Sequence, residues 1–252
     1  MCSLVILRRP DHDWPLLLAA NRDELTDRPS RPPARHWPDR PEVVAGLDLE
    51  ADGSWLGLND HGLVAAVLNR HGTLGPLAGR RSRGELVLEA LDHAEAGEAA
   101  GALADLSPVA YRPFNLVIAD PKVAYWLRHG GDGEIRVHPI PTGLHMLTAA
   151  ELDDSDDPRI RGFLPLFRGA NVPAPELGDW SDWIALLKRR EAVVGTEPSA
   201  AMTLDQDLDG QRFATRSSSL IAIPRYPGFG PGARWLHADG APDEVAFLRV
   251  SI

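Results

Sequence analysis

The chain has 252 residues, 44% of them apolar and 25% charged, with seven Trp and a single Cys; that composition supplies a sizeable core and excludes a disordered or fibrous chain. A formal net charge of -10 excludes a general binder of nucleic acid or anionic membrane, since both need surplus Lys and Arg to meet phosphate. No stretch approaches the roughly 18 apolar residues of a membrane span, SLVIL is too short for a signal h-region, and one Cys cannot close an internal disulfide. The expectation is one cytoplasmic domain, 1–252, with no metal and no cofactor.

In chain order, residues 2–8 (CSLVILR) and 15–21 (PLLLAAN) are short apolar runs on either side of DHDW, which reads as a buried hairpin. An antiparallel partner ends where the first strand begins, so Asn21-Arg22-Asp23-Glu24 is expected beside Cys2. The Pro- and Arg-rich stretch 28–41 is expected as an irregular excursion, neither helix nor inner strand. SWLGLND and HGLVAAVLNR read as strands joined by a tight turn at Asn59-Asp60-His61-Gly62, the second ending in Asn69-Arg70. Ser82-Arg83-Gly84-Glu85 has the pattern of a capping box opening GELVLEALDHA, and EAAGALADL follows as a second helix. FNLVIAD, VAYWLRH, IRVHPI and LHMLTA read as strands. Asp157-Pro158 opens a helix over RIRGFLPLF, and Asp179 or Ser181 caps DWIALLKRREAVV. FATRSSSLIAIP, ARWLHAD and EVAFLRVSI are the last strands. Strands, then helices, then strands again define an α+β chain with helices packed over antiparallel sheets.

Four features can carry chemistry. If Met1 is removed, as expected when a small residue follows, Cys2 holds a thiol and a free α-amine; that amine titrates near about 7.7–8.0 in model peptides and can take a proton at neutral pH. The plain alternative is an inert core cysteine. Asp23 is placed to hold such an amine, its plain alternative being a solvated strand end. Asn69 offers an amide donor to a tetrahedral oxyanion. Arg216, in Thr215-Arg216-Ser217-Ser218-Ser219, can pair with Asp23 or a substrate carboxylate. The nine His show no HExxH, and there is no GxSxG elbow, Walker loop or GxGxxG.

MCSLVIL, AANRDE, WLGLNDHGLVAAVLNR and the late TRSSSLIAI, in that order and with Cys at position 2, resemble the NRDE family, also called the transport-and-Golgi-organisation protein 2 family, along essentially the whole chain. That family is similar to the cysteine branch of N-terminal-nucleophile hydrolases: choloylglycine hydrolases, penicillin V acylases, acid ceramidases and isopenicillin-N acyltransferases. The resemblance implies a four-layer αββα sandwich, with Cys2 as nucleophile, Asp23 holding the amine, Asn69 in the oxyanion hole, Arg216 as a late active-site arginine, and Asn21 and Arg22 as binding residues. Two departures stand out. Those hydrolases often have Arg just before Asn-x-Asp, where this chain has Ala20, and Arg22 is expected on the other face of the strand. Many also have an Asn after the strand matching LHMLTAA, near Ala149 here, so one oxyanion donor is expected to be missing. The implied function is hydrolysis or acyl transfer on an amide or acyl group of a small molecule. The alternative is a non-catalytic carrier on the same fold for haem or a lipid or acyl-CoA ligand, in which a His, Cys2 or Met202 would be axial to haem. A third reading makes segment 28–41 a protein contact surface.

Overall fold

The computed structural model describes residues 2–226 and 232–252; Met1, on whose removal the Cys2 reading depends, lies outside them. The first two apolar runs form β1 (Ser3–Arg8) and β2 (Leu16–Leu25), followed by β3 (Ser30–Ala34), β4 (Val43–Asp48), β5 (Leu56–Asn59) and β6 (Val64–Asn69). Helices α1 (Gly84–Leu91) and α2 (Ala96–Ala104) precede β7 (Phe114–Ala119), β8 (Ala124–His129), β9 (Ile135–Pro139) and β10 (Gly143–Leu147). Helices α3 (Pro158–Gly169) and α4 (Ser181–Leu187) lead to β11 (Asp205–Leu208), β12 (Gln211–Ile223), β13 (Arg234–Ala238) and β14 (Leu248–Arg249).

The strands make two antiparallel sheets. One runs β10-β1-β2-β12-β13-β14 with β11 on β12, and the other is a meander from β3 to β9 in chain order. Side chains alternate across a strand, and here both faces are buried, so the strands read as continuous apolar runs. Leu4, Ile6, Leu16 and Leu18 face the other sheet and meet Val44, Leu58, Val64 and Val117. Val5, Leu7, Leu17 and Ala19 face α3 and α4, packing on Phe163, Phe167 and Trp183. On the far side, Ala65, Leu116 and Ile118 pack on Leu86, Leu91, Ala99 and Leu103 of α1 and α2. Three apolar layers therefore separate four structural ones: an αββα sandwich, α+β in class, as expected.

Several local expectations are corrected. Segment 28–41 is not wholly irregular: its Ser30–Ala34 is a strand, placed at a sheet edge where Pro32 and Pro33 need no N–H for the ladder, with a register shift between Arg31 and Ala34. Strand β4 (VVAGLD) and the polar β11 (DQDL) carried no readable pattern. The strand expected over EVAFLRVSI shrinks to Leu248–Arg249. The capping box does not close, because Arg83 rather than Ser82 is the N-cap residue of α1; Ser82 Oγ accepts from the Gly84 N–H instead, and Glu85 pairs with Arg81. Helix α4 stops at Leu187, whose carbonyl accepts from Asn21 Nδ2 and Thr203 Oγ1.

Buried asparagines lock the helical layers to the sheets. Asn59 donates both amide hydrogens to Leu91 and His93 carbonyls at the end of α1, while its Oδ1 accepts from the N–H groups of His61 and Leu63 in the predicted turn. Asn21 does the same on the other side, donating to Leu187 O at 3.0 Å and Met202 O at 2.9 Å. The bonds to Leu91, Leu187 and Met202 are buried, so each satisfies a carbonyl that is shielded from water.

His237 on β13 sits beside Ser219, which accepts from Trp235 Nε1 at 3.1 Å and lies 2.9 Å from His237 Nδ1. Burial pushes its imidazole down from the ordinary 6.5 to about 4. The unfolded chain then binds a proton that the folded chain refuses, so stability falls as pH drops from about 6.5 to 4, by about 3 kcal/mol in full. Urea midpoints measured across that window are expected to decline in the wild type and to decline less in His237→Asn; equal slopes would contradict it.

Candidate functional site

The register of the first hairpin places the site. Ser3 pairs with Asn21 and Leu4 with Ala20, so Cys2 stands opposite Arg22 at the end of β1. On the other side of β2, Thr215 pairs with Asp23 and Ser217 with Arg22. Alternation then sorts the motif by face. Asn21 and Asp23 turn to the α3/α4 layer, while Cys2, Ala20 and Arg22 line one cavity between the sheets with Trp55, Leu56 and Ser217. Arg22 therefore shares a face with Ala20 and with Cys2, which corrects the expectation that it points away: it stands two residues beyond Ala20, and a period of two returns a side chain to the same face. Its guanidinium lies 4.3 Å from the centroid of Trp55 and donates to Ser30 Oγ. Room for that indole comes from Gly46, where an added Cβ would fall 2.4 Å from the ring.

Cys2 is partly buried, with Sγ 3.4 Å from the main-chain oxygen of Asp23. Burial, and then the charge of Asp23, push its thiol above the ordinary value. A thiol so placed is a poor thiolate on its own and needs a base to become a nucleophile.

The carboxylate of Asp23 is buried and held by two groups from distant parts of the chain. Arg159 NH1 donates to Oδ2 at 3.0 Å and Thr215 Oγ1 to Oδ1 at 2.7 Å. Arg159 is the second residue of α3, fixed there by Asp157, which accepts from the N–H groups of Arg159 and Ile160. The arginine given to Asp23 is thus Arg159. Arg216 sits at the register shift between Thr215 and Ser217, its Nε is buried with no hydrogen-bond partner among the described residues, and it is absent from the lining of the Cys2 cleft.

Asn69 closes β6 and lines the same cleft as Cys2. Four of the five asparagines, 21, 59, 115 and 171, have side-chain amides tied to protein groups, and Asn69 alone makes no side-chain hydrogen bond among the described residues. Asn115 is fully engaged, donating to Thr148 and Ala150 carbonyls and accepting from Arg70 and Trp126. Ala149 is buried and brings no side-chain donor. Asn21 has both amide hydrogens on carbonyls and its Oδ1 on Ser218 Oγ at 2.6 Å, so its polar atoms serve the fold. Met202 is buried in the layer between the sheet and α3/α4. Among the described residues no His or Met lines the Cys2 cleft, and no group of three His, Cys, Asp or Glu could hold a metal ion. No helix among those residues is long and apolar enough to cross a membrane.

Sequence reasoning did not find Arg159 or Asn115. Arg159 follows an Asp-Pro helix start that explains the segment without it, and Asn115 looks like one polar residue in an apolar strand.

The same architecture is present in solved structures. A Caenorhabditis elegans ortholog of N-acylethanolamine-hydrolyzing acid amidase is similar with a TM-score of 0.56, at 13% identity over 92% of this chain and 95% of that one. A variant of conjugated bile acid hydrolase from Clostridium perfringens is similar with a TM-score of 0.54, at 13% identity over 100% and 97%. At such identities the likeness concerns the fold, and that fold is N-terminal-nucleophile hydrolase-like. Within it, the chain belongs to the Transport and Golgi organisation 2 family, whose model matches residues 1–168. Two relatives are Transport and Golgi organization protein 2 homologs. The Bos taurus protein is 39% identical over 117 residues, and the Homo sapiens protein 37% over 121. Those matches cover 42% and 43% of this chain but only 38% and 40% of the relatives.

Proposed function

We propose that the chain, once Met1 is removed, is an N-terminal-cysteine amidohydrolase or acyltransferase acting on a small-molecule amide. The observation that carries this reading is Asn69: the one asparagine whose amide has no side-chain hydrogen bond among the described residues lines the same cleft as the one cysteine. In this account the α-amine of Cys2 takes the thiol proton, and Sγ attacks the amide carbonyl. Asn69 and main-chain N–H groups hold the oxyanion. The C–N bond then breaks, the amine leaves with the proton returned by the α-ammonium, and an acyl thioester remains on Cys2. Water attacks the thioester to release the acid and regenerate the thiol; a second amine in its place gives acyl transfer. Asp23, fixed by Arg159 and Thr215, holds the α-ammonium between the two proton transfers. A bare thiol raised by burial suits this scheme, because the base belongs to the same residue.

The carrier alternative draws less support. Among the described residues a haem in this cleft would find Cys2 as its only soft ligand, since no His or Met of those residues lines it.

Amine release from a panel of N-acyl amides tests the reading with protein lacking Met1. Release that depends on Cys2 is the expected result. Tight ligand binding with no release in any member of the panel would contradict it and favour the carrier. Asn69→Ala is expected to lower kcat by about 100- to 1000-fold with little change in KM, the usual cost of one oxyanion donor. A KM effect alone would instead make Asn69 a ground-state binding residue.

A further inference from the structure

The cleft that holds Cys2 has a volume of about 240 Å³ and a charge opposite to that of the chain. Arg22, Arg80, Arg83 and Arg112 all line it, and none has a carboxylate within 4.0 Å among the described residues. Of the two acids in the lining, Asp48 is taken by Arg28 at 2.7 Å, which leaves Glu24. Four guanidinium charges thus face one carboxylate in a protein whose formal charge is -10.

Arg83 and Arg112 brace the loop between β6 and α1, but through neutral acceptors. Arg112 NH1 donates to the carbonyls of Leu74 at 2.8 Å and Gly75 at 3.0 Å. Arg83 NH1 donates to Thr73 Oγ1 at 2.9 Å and Pro113 O at 3.1 Å. Both reach Gly75 O, so two like charges converge on one carbonyl. A carbonyl satisfies a donor without neutralising its charge, and bracing of this kind needs no cation. Burial, then the neighbouring Arg112, push Arg83 down to about 10, while Glu24 and Cys2 act the other way. Arg80 has no side-chain partner at all among the described residues and lies on the same rim.

We propose that Arg80, Arg83 and Arg112 form a subsite for one anionic group, so that the small-molecule amide taken by this cleft ends in a carboxylate, sulfonate or phosphate. The inference rests on the amide reading for its substrate class, but the subsite can be measured without turnover. A guanidinium fork meets such a group with paired, charge-assisted hydrogen bonds, and in a partly enclosed cleft each is screened less than on an open surface.

The experiment compares N-hexanoylglycine with N-hexanoylglycinamide, identical but for the terminal charge, by calorimetry on Cys2→Ala protein. The acid is expected to bind about 10- to 100-fold more tightly at low salt, the range of a hydrogen bond to a charged group. The difference is expected to narrow to about threefold or less in Arg83→Gln, to narrow in Arg80→Gln, and to persist in Arg83→Lys. Arg80 holds nothing in place, so Arg80→Gln keeps the test valid should Arg83→Gln fail to fold. Equal binding of the two ligands, no binding of either, or a preference that survives both Gln variants would overturn the subsite. Turnover by Cys2 protein is scored separately. An acid preference without turnover counts against the hydrolase reading alone, and turnover without the preference counts against the subsite alone.

Discussion

Cys2→Ala is expected to abolish amine release, by a factor on the order of 10⁴ or more, while leaving the fold and the ligand affinity nearly unchanged. Alanine is small, so removal of Met1 should proceed as before, and the variant keeps the α-amine while losing only the sulfur. The lost contacts are few, because Cys2 is partly buried at the rim of the inter-sheet core rather than inside it. Thermal unfolding and calorimetry of the same preparation separate these effects. A Cys2→Ala protein that releases amine at the wild-type rate would remove Cys2 from the chemistry.

Asp23→Asn is expected to be the costliest single change at the site. It leaves the Arg159 guanidinium buried without its carboxylate, and breaking a buried ion pair from one side costs about 3–5 kcal/mol. It should also slow alkylation of Cys2 at neutral pH, because the amine that deprotonates the thiol loses its anchor. The double variant Asp23→Asn/Arg159→Met separates the two roles. Removing both charges should restore most of the stability, while alkylation stays slow. Alkylation at the wild-type rate in the double variant would make Asp23 purely structural.

How far the sequence reaches can be judged residue by residue. The β1/β2 hairpin and the juxtaposition of Cys2 with Asn21-Arg22-Asp23-Glu24 were legible, because a short turn between two apolar runs leaves one register that buries both. Asn69 was legible as the polar end of a strand. What set it apart, the engagement of every other asparagine, is a property of the folded chain. Arg159 could not be read, since it reaches Asp23 across 136 residues of sequence from the first turn of α3. Asn21 misled in the opposite direction: a polar residue inside a motif looks like a ligand-binding group, yet here it ends α4. Segment 28–41 was expected as an irregular excursion, neither helix nor inner strand; Pro does bar a place in the middle of a sheet, but it leaves the edge open, and β3 lies there. The arginine rim escaped notice for a similar reason. Arg80 and Arg83 lie in the loop after β6 and Arg112 just before β7, and only the fold brings them to the cleft of Cys2.

The central claim is that Cys2 is the first residue of the working protein and a nucleophile assisted by its own amine. Intact mass of the purified protein, taken before and after brief treatment with iodoacetamide at neutral pH, tests it most directly. The account predicts a mass lacking Met1 and rapid addition of one carbamidomethyl group. Met1 retained, which would turn that amine into an amide, or a Cys2 inert to alkylation after Met1 has been removed, would contradict it.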